Sequence, residues 1–151
     1  MIREYNPVTD KEQVIALSKR LTDFDLPSRI DIDFLGNVQR ENLSADLEDS
    51  PMQSVVFVAE ADDVLLGFVQ LQIEKDWISR QRHAHIERIV VATEAEGKGI
   101  AKTLMERAEE WAKSNGFPMI TLFCFTTNKR AIGFYEHVGY EAESVKMAKQ
   151  L

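Results

Sequence analysis

Two groups of residues in this 151-residue chain have the types and spacing to do chemistry. The first is the turn Glu96-Gly97-Lys98-Gly99-Ile100-Ala101, which lies between an apolar run, Ile86 to Val91, and an amphipathic stretch. Where a glycine-bearing turn joins a strand to a helix, the first N–H groups of the helix lack partners and the helix dipole favours negative charge, so such a turn can hold phosphates. Gly97 and Gly99 allow close backbone approach, and Lys98 and Lys102 add positive charge. The second group is Asn128-x-x-Ala131-x-x-x-Tyr135-x-x-x-Gly139-Tyr140. Asn128 opens a helix and can cap it or hold a ligand amide, and Tyr135 lies two turns further along the same face. The Tyr135 hydroxyl, with an ordinary pKa of about 10, is suited to protonating a leaving anion.

Other polar residues have competing readings. His83 and His85 alternate with Glu87 along one strand face. The spacing fits metal ligands, but three donors without a further ligand make a weak site, and no metal is expected. Cys124 lies in an apolar run and reads as a small core residue rather than an acyl carrier. Asp23, Asp25, Asp31 and Asp33, with Phe24 and Phe34 among them, could guide a cationic molecule or simply cap a helix and face water.

The elements that must position these residues follow from periodicity. Ile2 to Tyr5 reads as a strand. Thr9 and Glu12 have capping-box spacing, and Val14, Leu17, Ser18 and Leu21 carry a first helix to about Leu21. A polar loop leads to a second helix, Phe34 to Leu47, which Pro51 separates from a strand, Ser54 to Glu60. Asp62-Asp63 makes a tight turn into a clean alternation, Leu65 to Glu74, and so a hairpin. A loop carrying Trp77 precedes the strand His83 to Val91. A helix from Gly99 ends at Asn115-Gly116, the strand Met119 to Phe125 follows, then the helix Asn128 to Val138. Glu143 to Gln150 offers one short edge strand. This order predicts a single α/β domain over 1–151, with a mixed sheet and helices on both faces.

Composition narrows the function. The formal charge is −7, with 6 Lys/Arg against 14 Asp/Glu in residues 1–63 and 12 against 11 in residues 64–151. An acidic chain is a poor nonspecific nucleic-acid binder, so no nucleic acid is expected. The asymmetry either serves solubility alone or places an anionic ligand on the C-terminal half and a cationic one on the N-terminal half. One cysteine excludes an intramolecular disulfide. No apolar run is long enough to span a bilayer and no signal peptide is evident, so a cytoplasmic location with no membrane contact is the expectation.

On Ile89-Val90-Val91, then Glu96-x-x-Gly99-x-Ala101, then Asn128, Tyr135 and Gly139-Tyr140, the chain resembles the GNAT superfamily of acyl-CoA-dependent N-acetyltransferases. The resemblance implies a mostly antiparallel sheet of six to seven strands, splayed between its two central strands, here His83–Val91 and Met119–Phe125. It implies acetyl-CoA as co-substrate, with its pantetheine arm along Ile89, Val90 and Val91. Its pyrophosphate would lie at Gly97, Lys98, Gly99, Ile100 and Ala101, with Lys102 and Asn128 close by. It further implies a small-molecule or peptide amine as acceptor, with the region of the first helices and the Trp77 loop shaping its pocket, and a homodimer is compatible with it. One departure is Glu96, where the family usually has Arg or Gln. At about 6 Å from a phosphate its charge would repel by roughly 2–3 kcal/mol at an effective dielectric near 20, so Glu96 is expected to face solvent.

The implied reaction is direct attack of an amine on the thioester. Deprotonating an alkyl amine at pH 7 costs about 4–5 kcal/mol, which calls for a base. Glu87 is the candidate and His85 the second choice. The Ile89 N–H would hold the oxyanion and Tyr135 would protonate the thiolate. The acidic N-terminal half favours a small cationic acceptor. Two readings of other classes stand beside this one: a non-catalytic acyl-CoA sensor or interaction module on the same fold, and a domain binding ATP or NAD.

Overall fold

The computed structural model describes residues 1–49 and 54–151; the expected break at Pro51 lies outside them. The elements are β1 (Ile2–Glu4), α1 (Lys11–Leu17), α2 (Ile32–Glu48), β2 (Val55–Ala61), β3 (Val64–Lys75), β4 (Arg82–Val91), α3 (Ile100–Ser114), β5 (Ile120–Leu122) and α4 (Lys129–His137). Short 3-10 turns cover Ser18–Thr22 and Thr93–Ala95. Among the described residues the sheet has five strands in the order β1-β2-β3-β4-β5, antiparallel except for the parallel β4–β5 pair. The expected six to seven strands are therefore corrected to five. The expected edge strand at Glu143 to Gln150 does not form, and those residues are exposed.

The remaining departures are local. The first helix stops at Leu17 and tightens into a 3-10 turn before Leu21. Thr9 and Glu12 do not form a capping box, because Asp10 is the N-cap and its carboxylate is engaged elsewhere. Asp10 accepts from Arg3 at 2.7 and 3.0 Å, from the Asn6 N–H at 2.7 Å and from Thr9 Oγ1 at 2.8 Å. Asp62 and Asp63 both have positive φ, which is the two-residue hairpin turn that matches strand twist.

The sheet packs on both faces. On one, Phe57, Ala59, Val69 and Leu71 meet the α3 stripe Leu104, Met105, Ala108 and Ala112, with Phe134 and Tyr135 of α4 alongside. On the other, Val58, Phe68 and Val90 meet Val14 of α1 and Leu43 and Leu47 of α2. Strand alternation puts neighbours such as Phe57 and Val58 into opposite cores. At Gly67 the sheet is tight: an added Cβ would lie 2.5 Å from the Val90 carbonyl oxygen.

Candidate active site

The central strand β4 changes phase once, at Glu87. Gln70 faces Arg88 but Leu71 faces Ile86, so Glu87 is the extra residue of a β-bulge. Below the bulge, even-numbered residues bond toward β5: the Ala84 N–H donates to Met119 O at 3.1 Å. Above it the parity reverses, because the Ala92 N–H donates to Leu66 O on the β3 side at 2.8 Å. Bonding of opposed antiparallel pairs alternates. Val90 therefore bonds β3, and the N–H and C=O groups of Ile89 and Val91 point to the other edge.

Among the described residues that edge has no strand beside it. β5 pairs with β4 only at Ala84, His85 and Ile86, through Ile120, Thr121 and Leu122. The expected strand to Phe125 ends three residues early, and the backbone diverges. Between the strands opens a cleft of about 830 Å³. It is lined by Ile86 to Val91 on one side, Leu122 to Phe125 on the other, the turn before α3 at one end and α4 above. The outward amides of β4 thus face a cleft and not a neighbour, a place where an extended, peptide-like ligand can supply the missing bonds.

The turn before α3 leaves backbone donors open to the cleft. Gly97 and Gly99 have φ of 72° and 79°, a left-handed conformation that costs side-chain-bearing residues about 1–2 kcal/mol. Gly99 is the N-cap of α3 and no side chain among the described residues caps this helix, so the first-turn N–H groups remain available. Gly97, Gly99, Ile100, Ala101 and Lys102 line the cleft; Lys98 is exposed on the turn and does not line it.

Glu96 does not face solvent as expected. It pairs with Arg20, and with Arg130 at 3.1 Å, while Arg20 also bonds Thr93 Oγ1 and lies 3.4 Å from Asp23. The guanidinium groups of Arg130 and Arg20 hold the Glu96 carboxyl below its ordinary range. The negative charge is thus offset by two cations that themselves line the cleft. Arg130 was legible, two residues into the Asn128 helix. Arg20 carried no local signal, being 76 residues from its partner.

Asn128 caps α4 by accepting from the Ala131 N–H at 3.2 Å, and it lines the cleft. Tyr135 reaches the cleft half-buried, its ring held between Phe134 and Tyr140 with centroids at 5.5 and 6.1 Å. Burial, reinforced by nearby Cys124, pushes its hydroxyl up to about 12. Cys124 is not a core residue: it is half-buried at the cleft, and burial raises its thiol, which keeps it protonated.

Glu87 is exposed at the cleft and accepts from Gln72 Nε2 at 2.8 Å. It does not pair with Arg88, whose buried guanidinium turns to Asp46 of α2 at 2.8 Å and to Gln70. His85 stands below the bulge, outside the cleft lining, and donates to or accepts from Thr121 at 2.8 Å. Of the four loop aspartates, Asp31 caps α2 and Asp23 lines the cleft beside Phe24, whose ring meets Phe125 at 5.9 Å. Trp77 is 82% exposed on the β3–β4 loop, away from the cleft lining.

Comparison with known proteins agrees with this geometry. The family model described as "Acetyltransferase (GNAT) family" matches residues 21–140. An uncharacterized N-acetyltransferase of Methanocaldococcus jannaschii is 35% identical over 92 residues, which cover 59% of this chain and 40% of the relative. The chain spans about half the length of the curated relatives it matches. A putative acetyl transferase from Pyrococcus furiosus superposes with a TM-score of 0.79 at 28% identity, covering 100% of both chains. An aminoglycoside N-acetyltransferase solved in complex with CoA has the same fold, with a TM-score of 0.71 at 21% identity over 100% of this chain and 99% of that one. With the family model covering the cleft, the glycine turn and α4 alike, the chain belongs to the GNAT acetyltransferase family.

Proposed function

We propose that this protein transfers an acetyl group from acetyl-CoA to a primary amine on a small cationic molecule by direct attack. The observation that carries the reading is the upper half of β4, whose outward backbone groups face an open cleft with Tyr135 on its wall. The pantetheine arm runs along Ile89, Val90 and Val91. The pyrophosphate rests on Gly97 to Ala101, with Lys98, Lys102 and Asn128 at hand. Arg20 and Arg130 add charge at the same end.

Glu87 is the base. Its place on the bulge turns the carboxylate toward the cleft and away from Arg88. A carboxylate is too weak a base to strip a proton from an ammonium outright, so Glu87 works through water as the amine attacks. The Ile89 N–H, which points away from β3, donates to the oxyanion. Tyr135, with a pKa of about 12, holds its proton throughout the neutral range. Full transfer to a thiolate whose acid has a pKa of about 8.5 costs about 5 kcal/mol. The hydroxyl therefore first donates a hydrogen bond to the developing thiolate and completes transfer late. Asp23 and Phe24 at the cleft support a cationic acceptor, by charge and by cation–π contact.

The test is thiol release from acetyl-CoA with a panel of primary amines, including polyamines and aminoglycosides. Turnover with a cationic amine is expected, and Tyr135→Phe should lower kcat by about 10²–10⁴-fold while leaving acetyl-CoA binding nearly intact. Tight acetyl-CoA binding without turnover across the panel would replace the enzyme by an acyl-CoA sensor.

A further inference from the structure

Below the bulge, on the face opposite α3, β3 and β4 bring three metal-ligating side chains together outside the cleft lining. Glu74 faces His83 directly across the ladder, and His85 lies two pairs further along on the same face, opposite Gln72. His85 Nδ1 is 3.6 Å and His83 Nε2 4.0 Å from the same oxygen, Glu74 Oε2. One donor atom from each residue lies within 4.8 Å of the other two. The spacing of His83 and His85 was legible in the sequence; the carboxylate that completes the set is Glu74 of the neighbouring strand, not Glu87.

Two further observations bear on a ligand. The His83 side chain is 9% exposed, yet its Nδ1 has no hydrogen-bond partner among the described residues and its Nε2 is beyond hydrogen-bond reach of Glu74. No protein hydrogen bond occupies Nε2 among the described residues, which leaves that nitrogen free to take a cation. The donors also come from paired strands, so the backbone holds them in place before any ion arrives. A tetrahedral Zn²⁺ with bonds of about 2.0–2.1 Å separates its ligand atoms by about 3.3 Å. Side-chain rotation closes the difference, with His85 Nδ1 exchanging its Thr121 contact for the ion. The 35% exposed Glu74 leaves an open position for water.

The geometry points to Glu74, His83 and His85 as a binding site for a divalent late first-row cation such as Zn²⁺. The donor set of two imidazole nitrogens and one carboxylate suits Zn²⁺, Ni²⁺ or Cu²⁺ and not Mg²⁺, which prefers an oxygen shell. The ion would clip β3 to β4 below the bulge and fix His85, whose ring lies 5.2 Å from that of Phe123 on the cleft wall.

Titration of the metal-free full chain with Zn²⁺ alone, followed by calorimetry, tests this. One equivalent per chain should bind, excess Mg²⁺ should not displace it, and Glu74→Gln and His85→Ala should each weaken it about tenfold or more. His137→Ala, which removes the third histidine of the chain, should leave it unchanged. Glu74→Gln is near-isosteric and partly exposed, so it keeps the test open should His85→Ala fail to fold. Absence of stoichiometric binding, or binding indifferent to Glu74→Gln, overturns the site. No acetyl-CoA is present in the measurement, so this site and the proposed activity stand or fall separately.

Discussion

Glu87 and Glu96 are carboxylates at opposite ends of one cleft, and their surroundings set opposite expectations. Glu87 accepts a hydrogen bond from an uncharged amide, Gln72, and in the proposed reaction its carboxylate meets the incoming amine. Glu87→Gln should lower kcat/KM about 10²-fold near neutral pH, typical of losing a general base. The deficit should narrow as pH approaches that of the free amine, because the substrate then arrives already deprotonated; a pH profile of both proteins checks this. Glu96 offsets Arg20 and Arg130. Glu96→Gln removes one negative charge beside the glycine turn and should tighten acetyl-CoA binding a few-fold at low salt, with the difference shrinking near 1 M salt, where the Debye length falls to about 3 Å. Unchanged affinity at low salt would place the phosphates elsewhere.

At the scale of elements, the cleft depends on how β3 and β4 are spaced. Gly67 lets the β3 backbone pass against the Val90 carbonyl, where a Cβ would sit at 2.5 Å. Gly67→Ala must push the strands apart directly behind Ile89 and Val91. It should cost about 1–3 kcal/mol of stability, the usual penalty of overpacking, measured by urea denaturation, and should raise the KM for acetyl-CoA. The apolar run Leu65 to Glu74 and the helical stripe from Ile100 made β3 and α3 legible, although β3 is buried on both faces, with Val69 and Leu71 in one core and Leu65 and Phe68 in the other. The bulge did not show: an inserted residue shifts alternation by one, and His83, His85 and Glu87 read as an unbroken series. The brevity of β5 was equally hidden, since Phe123 and Phe125 are as apolar as strand residues but line a cleft.

Across the whole molecule, the N-terminal strand and helix are tied to the sheet by charge. Arg3 of β1 bonds Asp10 and Glu60 together, and the Asp10 side chain is 2% exposed. Hydrogen bonding to Arg3 lowers the Asp10 pKa from 3.8 to about 2. A folded-state pKa below the unfolded one gives stability that is present above about pH 4 and lost as pH falls toward 2, worth about 2 kcal/mol in all. Asp10→Asn should lose about that much at pH 7 and show a flatter stability curve between pH 4 and 2, measured by denaturant titration at each pH. The motifs that made the family legible lie between residues 86 and 140 and share local spacing. Arg20, Asp23 and Phe24 reach the same cleft from a region whose sequence is only polar and acidic, with no period to mark it.

The buried Arg88 guanidinium sets a limit on how this protein can be divided. Its carboxylate, Asp46, comes from α2, and the Glu96 pair likewise borrows Arg20 from the N-terminal third. A fragment beginning at β2 would retain every recognisable motif. It would also leave a buried cation without its counter-charge, at a cost of about 3–5 kcal/mol, and expose the core face that Val14, Leu43 and Leu47 now cover. The half that carries the signature is thus not an autonomous module, and the N-terminal helices are part of its foundation.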